Sequence, residues 1–370
     1  MENKSEILFL YETTYNIPNG DPFTGEQRYD EETKQILVSD VRIKRFVRDY
    51  LASKEGNSIY IKQKEGAIIE DETEDTGSES EAKSKKEGSG SARRIDELIS
   101  QFKKEIASEK TKLKKDESFS EALFVMKQCI DVRLFGGIST KKKDAVNLTG
   151  PVQFALLNPS FNKVDLRIHQ NTTCFESKQG KSQGSIGTTT LVPYSLVQIH
   201  GWVNPKVAEK TEMIEDDLKL MYEGLWYGTS GDGSSHSRSK VGQNSVLLLE
   251  IEYAQNNQKI YGVDRLIELK SKDDKKGEQI RSMDDYELDF SKLFEKAKGE
   301  KVVKIKFYTE IDSLKKLFTD KATLTSALTQ IIKEKGKDDV IVKPKVEEIE
   351  TIFKKFEAIE FIKDEKNKSK

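Results

Sequence analysis

The stretch ILFLYETTYNIPNGDP (residues 7–22), followed shortly by SDVRIKRFVRDYL (residues 39–51), decides the fold. Ile7 to Tyr11 is a continuous apolar run and reads as a buried strand, which Asn16 to Pro22, with two prolines and a glycine, ends in a turn-rich loop. In the second stretch Ser39 or Asp40 caps a helix whose Ile43, Phe46, Val47 and Tyr50 recur at i, i+3, i+4 and i+7. Its other face carries Arg42, Lys44, Arg45 and Arg48. A strand, a loop containing Gly20 and a basic helix supply the backbone N–H groups and cations that hold a nucleic-acid backbone. The same spacing also fits an ordinary solvated helix face, and periodicity does not separate the two.

Beyond this unit the pattern changes. From Ser53 to Ala92 the sequence is acidic, Ser- and Gly-rich and ends in EGSGS (residues 87–91), too polar to bury a core, so a flexible insertion is expected over 53–92. Ile95, Leu98, Ile99, Phe102 and Ile106 then mark an amphipathic helix suited to a peripheral cover within a helical insertion, 93–132. Val164, Leu166 and Ile168 alternate with Asp165, Arg167 and His169 as in a half-buried strand, and a polar Gly/Ser/Lys-rich excursion follows over 170–190. Strands resume at Val197 to Val203 and Ser245 to Tyr253. They flank a helix with the stripe Ile214, Leu218, Met221 and Leu225 and a Gly/Ser loop over 228–240. Val303, Ile305 and Phe307 alternate with lysines, and helices are expected at Leu324 to Ile332 and Val346 to Phe361. This order implies an α+β fold with a largely antiparallel sheet.

The 370 residues suffice for one large decorated domain or two. No apolar run reaches membrane-spanning length and the first residues are too polar for a signal peptide, so a cytoplasmic protein with no membrane partner is expected. Cys129 and Cys174 give neither a disulfide framework nor a cysteine-rich zinc site. His169, His200 and His236 have no metal-ligand spacing, so no metal and no cofactor is expected. Gly180-Lys181-Ser182 imitates the end of a phosphate-binding loop, but Phe175 stands where the first glycine is needed. The net charge of −2 neither supports nor excludes an RNA partner, because the acid of residues 70–81 is segregated from the base of residues 42–48.

Three further segments can carry chemistry. In RLFGG (residues 133–137) Arg133 can pair with phosphate, Phe135 can stack on a base, and Gly136-Gly137 permits close backbone approach, although a tight turn over a buried phenylalanine reads equally well. The excursion with Thr172, Thr173, Lys178 and Lys181 can lie across RNA or a neighbouring subunit. His236, Arg238 and Lys240 sit in a Gly/Ser loop of the kind that clamps phosphate.

Taken in order, NGD (19–21), RYD (28–30), VSDVRIKR (38–45), RLFGG (133–137), TGPVQF (149–154), VPY (192–194) and His200-Gly201 resemble the RAMP-type backbone subunits of type I CRISPR complexes, closest to the I-B and I-C branches. The resemblance spans Glu6 to about Tyr253. It implies a modified RRM-like (ferredoxin-like) palm made of 1–52, 133–169 and 191–310, with a thumb hairpin at 170–190 and C-terminal helices in 311–370. It further implies copies stacked head to tail along a CRISPR guide RNA, other Cascade subunits as partners, and a target DNA strand met through guide pairing. RNA contact is then expected from Asn19, Gly20, Ser39, Arg42, Lys44, Arg45, Arg133, Phe135, Gly136, Gly137, Thr172, Thr173, His236 and Arg238, through phosphate and sugar, since each copy meets a different guide segment. No catalytic residue is expected. The rival readings are a metal-dependent RNA endonuclease of the type III kind, using Asp21 or Asp30, and a protein-only scaffold.

Overall fold

The computed structural model describes residues 3–62, 90–112, 119–176, 184–231, 238–298, 301–320, 327, 330–332, 340–342 and 345–348. Strand β1 (Ser5–Asn16) leads through a loop into β2 (Tyr29–Asp30), β3 (Gln35–Ser39) and helix α1 (Asp40–Ser53). A helical group follows: α2 (Gly90–Gln101), α3 (Lys103–Lys112), α4 (Glu121–Gln128) and α5 (Ile130–Phe135). Short strands β4 (Gly136–Ser139), β5 (Val146–Thr149), β6 (Val152–Phe154) and β7 (Leu157–Pro159) precede a long hairpin, β8 (Arg167–Glu176) and β9 (Gly184–Val203). Then come α6 (Pro205–Thr211), α7 (Glu215–Ser230), β10 (Gln243–Tyr253), β11 (Glu268–Ser271), β12 (Tyr286–Asp289) and α8 (Ser291–Ala297). The described chain closes with β13 (Val302–Tyr308), α9 (Asp312–Thr319), β14 (Gln330–Ile332), β15 (Val340–Val342) and β16 (Lys345–Glu348).

The principal sheet has the order β16-β13-β10-β1-β9-β6, with β8 paired to β9. Every pairing is antiparallel except β13 with β16. The expected mixed architecture with a largely antiparallel sheet is therefore present. β1 lies near the middle, and its alternation sends Ile7, Phe9 and Tyr11 into a core with α1 and α7, while Leu8 and Leu10 enter a second core. That second core is closed by Ile260, Val263, Tyr286, Phe294 and Phe318. Because both faces are covered, the strand reads as an uninterrupted apolar run.

Ser39 caps α1, accepting from Arg42 N at 3.4 Å, and Ile43, Phe46, Val47 and Leu51 are fully buried at its inner face. Each such side chain contributes about 1.5–3 kcal/mol by leaving water. Close approach of α7 is possible because Gly224 and Gly228 face α1, and a Cβ at Gly228 would stand 2.5 Å from the Phe46 carbonyl oxygen. The helical group has its own small core of Tyr60, Ile95, Leu98, Ile106, Val125, Met126 and Cys129.

Four sequence expectations are corrected. The single helix from Ile95 to Ile106 is two helices, broken at Phe102. The strand expected from Val164 begins only at Arg167. Val164 is instead a buried loop residue held by its N–H to Lys34 O at 2.8 Å, and Ile168 is exposed. The end of the first expected C-terminal helix and the start of the second are strands: the β-branched Ile331, Ile332, Val340 and Ile341 pair as β14 and β15, and Val346 lies opposite Ile305 in the parallel pair. Among the described residues of 311–370, α9 and Ala327 are helical as expected. Most of the acidic insertion, residues 63–89, and the hairpin tip, 177–183, lie outside the described residues.

Gly228→Ala is expected to lower stability by about 1–2 kcal/mol, because forced separation of α1 from α7 outweighs the gain in helix propensity. Urea unfolding followed by circular dichroism measures it, and an unchanged midpoint would contradict the close approach.

Candidate nucleic-acid interface

Asp131, at the start of α5, is wholly buried. Its carboxylate accepts Tyr60 N at 2.7 Å, Ile61 N at 3.1 Å and Arg48 Nε at 3.0 Å, fastening α1, the segment after it and α5 together. Between the joined parts opens a cleft of about 1430 Å³. Lys44, Arg48, Lys62, Arg93 and Arg94 line it against only two carboxylates, Asp40 and Glu97, so its walls are positive. Val41, Ile61, Phe135 and Ile138 add apolar surface. The volume exceeds the roughly 300–1,000 Å³ of a small-molecule pocket and suits a segment of a polymer.

Lys44 donates to Asp40 at 3.0 Å and lies 5.9 Å from the Phe135 ring centroid, with Arg48 on the same ring at 5.4 Å. Arg94 is engaged by Glu97 and by the Ile59 and Tyr60 carbonyls. By the helix periodicity Arg45 stands about 100° round α1 from Lys44 and Arg42 about 160°. Arg45 pairs with Asp49 at 3.1 Å, while Arg42 lies flat on the Phe46 ring at 4.1 Å and burial brings its pKa down to about 10.

Of the residues expected to hold RNA, the structure brings Lys44, Phe135, Gly136 and Gly137 to the cleft, whereas Arg42 and Arg45 are not among the residues that line it. Several have internal duties. Asn19 accepts Ser39 N at 2.6 Å and donates its own N–H to Gln27 at 2.9 Å, so it staples the loop to the helix cap, and Gly20 bridges Gln27. Arg133 is corrected: its guanidinium forks Asp217 at 2.6 and 2.8 Å and donates to the Lys127 and Gln128 carbonyls, leaving it turned away from the cleft. Phe135 is buried against Phe154, which excludes stacking of a base on both its faces. The glycine reading is corrected as well: a Cβ at Gly136, at φ +80, would meet Leu148 O at 2.2 Å, and at Gly137 Met126 and Tyr60 side chains at 3.1–3.3 Å. At Gly136 it is the protein's own backbone that requires the glycine, and at Gly137 the Met126 and Tyr60 side chains would have to give way.

Thr172 and Thr173 lie on β8, where Thr172 opposes Ile186. Arg238 opens a 3₁₀ turn, Arg238–Lys240, and His236 lies outside the described residues. Arg48, Lys62, Arg93 and Arg94 line the cleft but stand outside the set of contacts expected from sequence. Arg48 was discoverable as the i+4 partner of Lys44 on one stripe, but the others reach the interface only through tertiary folding. Asp21, a candidate for the cutting rival, is held by Arg28 at 2.9 Å and accepts Phe23 N, and Asp30 is lowered in pKa by its bond from Thr33. Burial pushes the Cys129 thiol up to about 12, as suits a core residue. No described helix is long and apolar enough to cross a membrane.

The family model described as CRISPR-associated protein Cas7 matches residues 3–291. The chain belongs to the Cas7 family. The resemblance drawn from the ordered motifs between Glu6 and Tyr253 is thus borne out. A CRISPR-associated protein Cas7 of Haloferax volcanii is 29% identical over 313 residues, covering 79% of this chain and 82% of that protein. Similar solved chains come from a CRISPR RNA-guided surveillance complex, pre-nicking, with TM-score 0.48, 12% identity and coverage of 84% of this chain and 93% of that one. Another, from a CRISPR RNA-guided surveillance complex, has TM-score 0.46, 11% identity and coverage of 87% and 92%. Within the Cas7 fold of this chain, Arg133 serves as an internal strut.

Arg133→Ala is expected to destabilise the protein by about 3–5 kcal/mol by leaving the buried Asp217 unpaired. RNA retention per folded molecule should stay unchanged. Unfolding midpoints together with filter binding test this, and selective loss of RNA without loss of stability would restore Arg133 as an RNA ligand.

Proposed function

We propose that this Cas7-family chain is a non-catalytic backbone subunit that binds guide RNA through its phosphates and oligomerises head to tail along it, in a type I surveillance complex with other Cascade subunits that meets target DNA through guide pairing. The observation that carries the reading is the positive cleft beside α1, which presents cations without a set of base-reading side chains. Phosphate contact of this kind is indifferent to sequence, as a repeated subunit requires.

The palm assignment is supported by the succession β1, α1, β6, β9, α7, β10, whose strands lie in the order β10-β1-β9-β6 with both helices on one face, a split βαβ arrangement. The opposite face, which a sequence-reading RRM keeps open, is here covered by the second core, and Phe9 and Tyr11 are buried on the helix side. Recognition at the cleft therefore replaces stacking on the sheet. The projecting hairpin β8–β9 fits the thumb, and its Thr172 and Thr173, with Arg238, Ser39, Asn19 and Gly20, remain the proposed flank of the RNA path, to which His236, outside the described residues, is added from the sequence alone. Engagement of Asp21 by Arg28 supports a structural rather than a cutting role for that loop.

The chain purified from cells expressing a CRISPR array should carry guide-length RNA without a shared internal motif, in a large particle. RNA-free protein in the presence of partner subunits would return the protein-only reading. Lys44→Ala with Lys62→Ala should weaken RNA binding on the order of tenfold, equally for unrelated sequences. The slope of log K against log salt should become shallower by roughly 0.7 for each phosphate that is no longer neutralised. A sequence-dependent weakening in electrophoretic mobility titrations would contradict phosphate recognition.

A further inference from the structure

The chain leaves the described residues at Lys62 and re-enters them at Gly90, and both of these residues line the cleft. α2 therefore starts at the cleft wall, with no acid in its first turn and with Arg93 and Arg94 on the same wall. Five cations face two carboxylates there, Asp40 and Glu97, and the excess survives when the buried Asp131 behind Arg48 is counted as a third. On the same walls Val41, Ile61 and Ile138 are 67%, 51% and 60% exposed. Phosphate accounts for the cations of this surface but gives no reason for three uncovered aliphatic side chains. An occupant that brings carboxylates and aliphatic carbon together accounts for both.

The 27 residues that join Lys62 to Gly90 hold such a sequence: Ala67-Ile68-Ile69 runs directly into Glu70-Asp71-Glu72-Thr73-Glu74-Asp75, five carboxylates in six residues. We propose that the cleft is a docking site for this segment of its own chain, residues 67–75. Ile68 and Ile69 meet Val41, Ile61 and Ile138, the acid run meets Lys44, Arg93 and Arg94, and guide RNA binds by displacing it. The docking is independent of the RNA-binding reading, whereas the competition rests on it.

The tether sets the strength that is needed. Eight residues lead from Lys62 to Glu70, a reach of up to about 26 Å when extended. So short a connection, starting at the cleft wall itself, holds the acid run at an effective concentration on the order of 1 mM. A peptide affinity of only about 0.1 mM then keeps roughly nine clefts in ten occupied and lowers RNA affinity about tenfold. A guide-length strand overcomes this through phosphate contacts beyond the cleft, which the segment does not oppose. Short stray RNA lacks those contacts, so the device favours long strands over fragments.

The test compares the full chain with a variant carrying Glu70→Gln, Asp71→Asn, Glu72→Gln, Glu74→Gln and Asp75→Asn, which alters no described residue. A zero-length carbodiimide, which joins a carboxylate to an amine, should link the acid run to Lys44 in the RNA-free wild type, and guide-length single-stranded RNA should abolish the link. Mixing isotope-labelled and unlabelled chains separates links within one molecule from links between two. The variant should bind the RNA about tenfold more tightly at low salt. A synthetic peptide of residues 66–77 should bind the variant with a dissociation constant on the order of 0.1 mM and compete with RNA there. The same peptide with Ile68→Ser and Ile69→Ser should bind several-fold more weakly. Absence of both the Lys44 link and peptide binding would overturn the docking, and a gain in RNA affinity without either would reduce the acid run to long-range repulsion. Links found only between differently labelled chains would overturn the internal occupant in favour of a neighbouring copy. An internal link with unchanged RNA affinity of the variant would keep the docking and overturn the competition. An internal link in a chain that binds no RNA at all would overturn the RNA reading and leave the docking in place.

Discussion

A carboxylate in a dry interior persists only when its lone pairs are filled, and Asp131 fills them with two backbone N–H groups and the Arg48 guanidinium. That arrangement adds a polar fastening to parts that the first core also joins, since Ile59, Ile130 and Leu134 pack in one cluster with Ile43 and Phe46 of α1. Tyr60 belongs to the core of the helical group, Arg48 to the helix packed on the sheet, and Asp131 to the short helix between them. The cleft is the gap that remains once this junction is made. Its walls are therefore held both by these hydrogen bonds and by the packing of α5 on α1.

The same helix α1 shows how the chain divides its cations between support and display. Arg48 is committed to Asp131 and Lys44 leans on Asp40, whereas Arg42 lies buried on Phe46 without an ion pair among the described residues. Arg133, the most conspicuous arginine of the second sequence motif, is spent wholly on Asp217 and two helix-terminal carbonyls. The motif arginines therefore differ in their surroundings: Arg133 is fastened to a buried carboxylate as part of the frame, whereas Arg42 makes no ion pair among the described residues.

What could be read from the sequence follows from how local each determinant is. The β1–loop–α1 unit was legible because its apolar period, Ser39 cap and Gly/Pro loop are all short-range signals. α7 was legible through Leu218, Met221 and Leu225, whereas Ile214, read as part of the same stripe, is its exposed N-cap. The strands near Ile331 and Val346 were misread as helices, because short apolar runs there fit both periods and only pairing decides between them. Within the interface, Lys44 and the Phe135–Gly137 turn were legible as motifs, but the purpose of the glycines was not: what a missing Cβ makes room for is set by Leu148 and Tyr60, remote in sequence. Lys62 and Arg94 carried no local signal beyond their charge, since segments far apart in the chain bring them to the cleft beside α1.

The strand β9 has a mechanical consequence. Residues 192–203 pair with β1 in the body of the sheet, while Gly184 to Leu191 continue the same strand outward, paired only with β8. No hinge separates the two parts, so the projection is a cantilever of about 26 Å built into a twelve-residue root. A load at its end is carried as bending and twist into β1, the strand beneath α1. A rotation of the sheet by a few degrees would likewise sweep the tip through an ångström or more. The hairpin and the helix that bears the cations thus form one lever, and strain applied at either end is felt at the other.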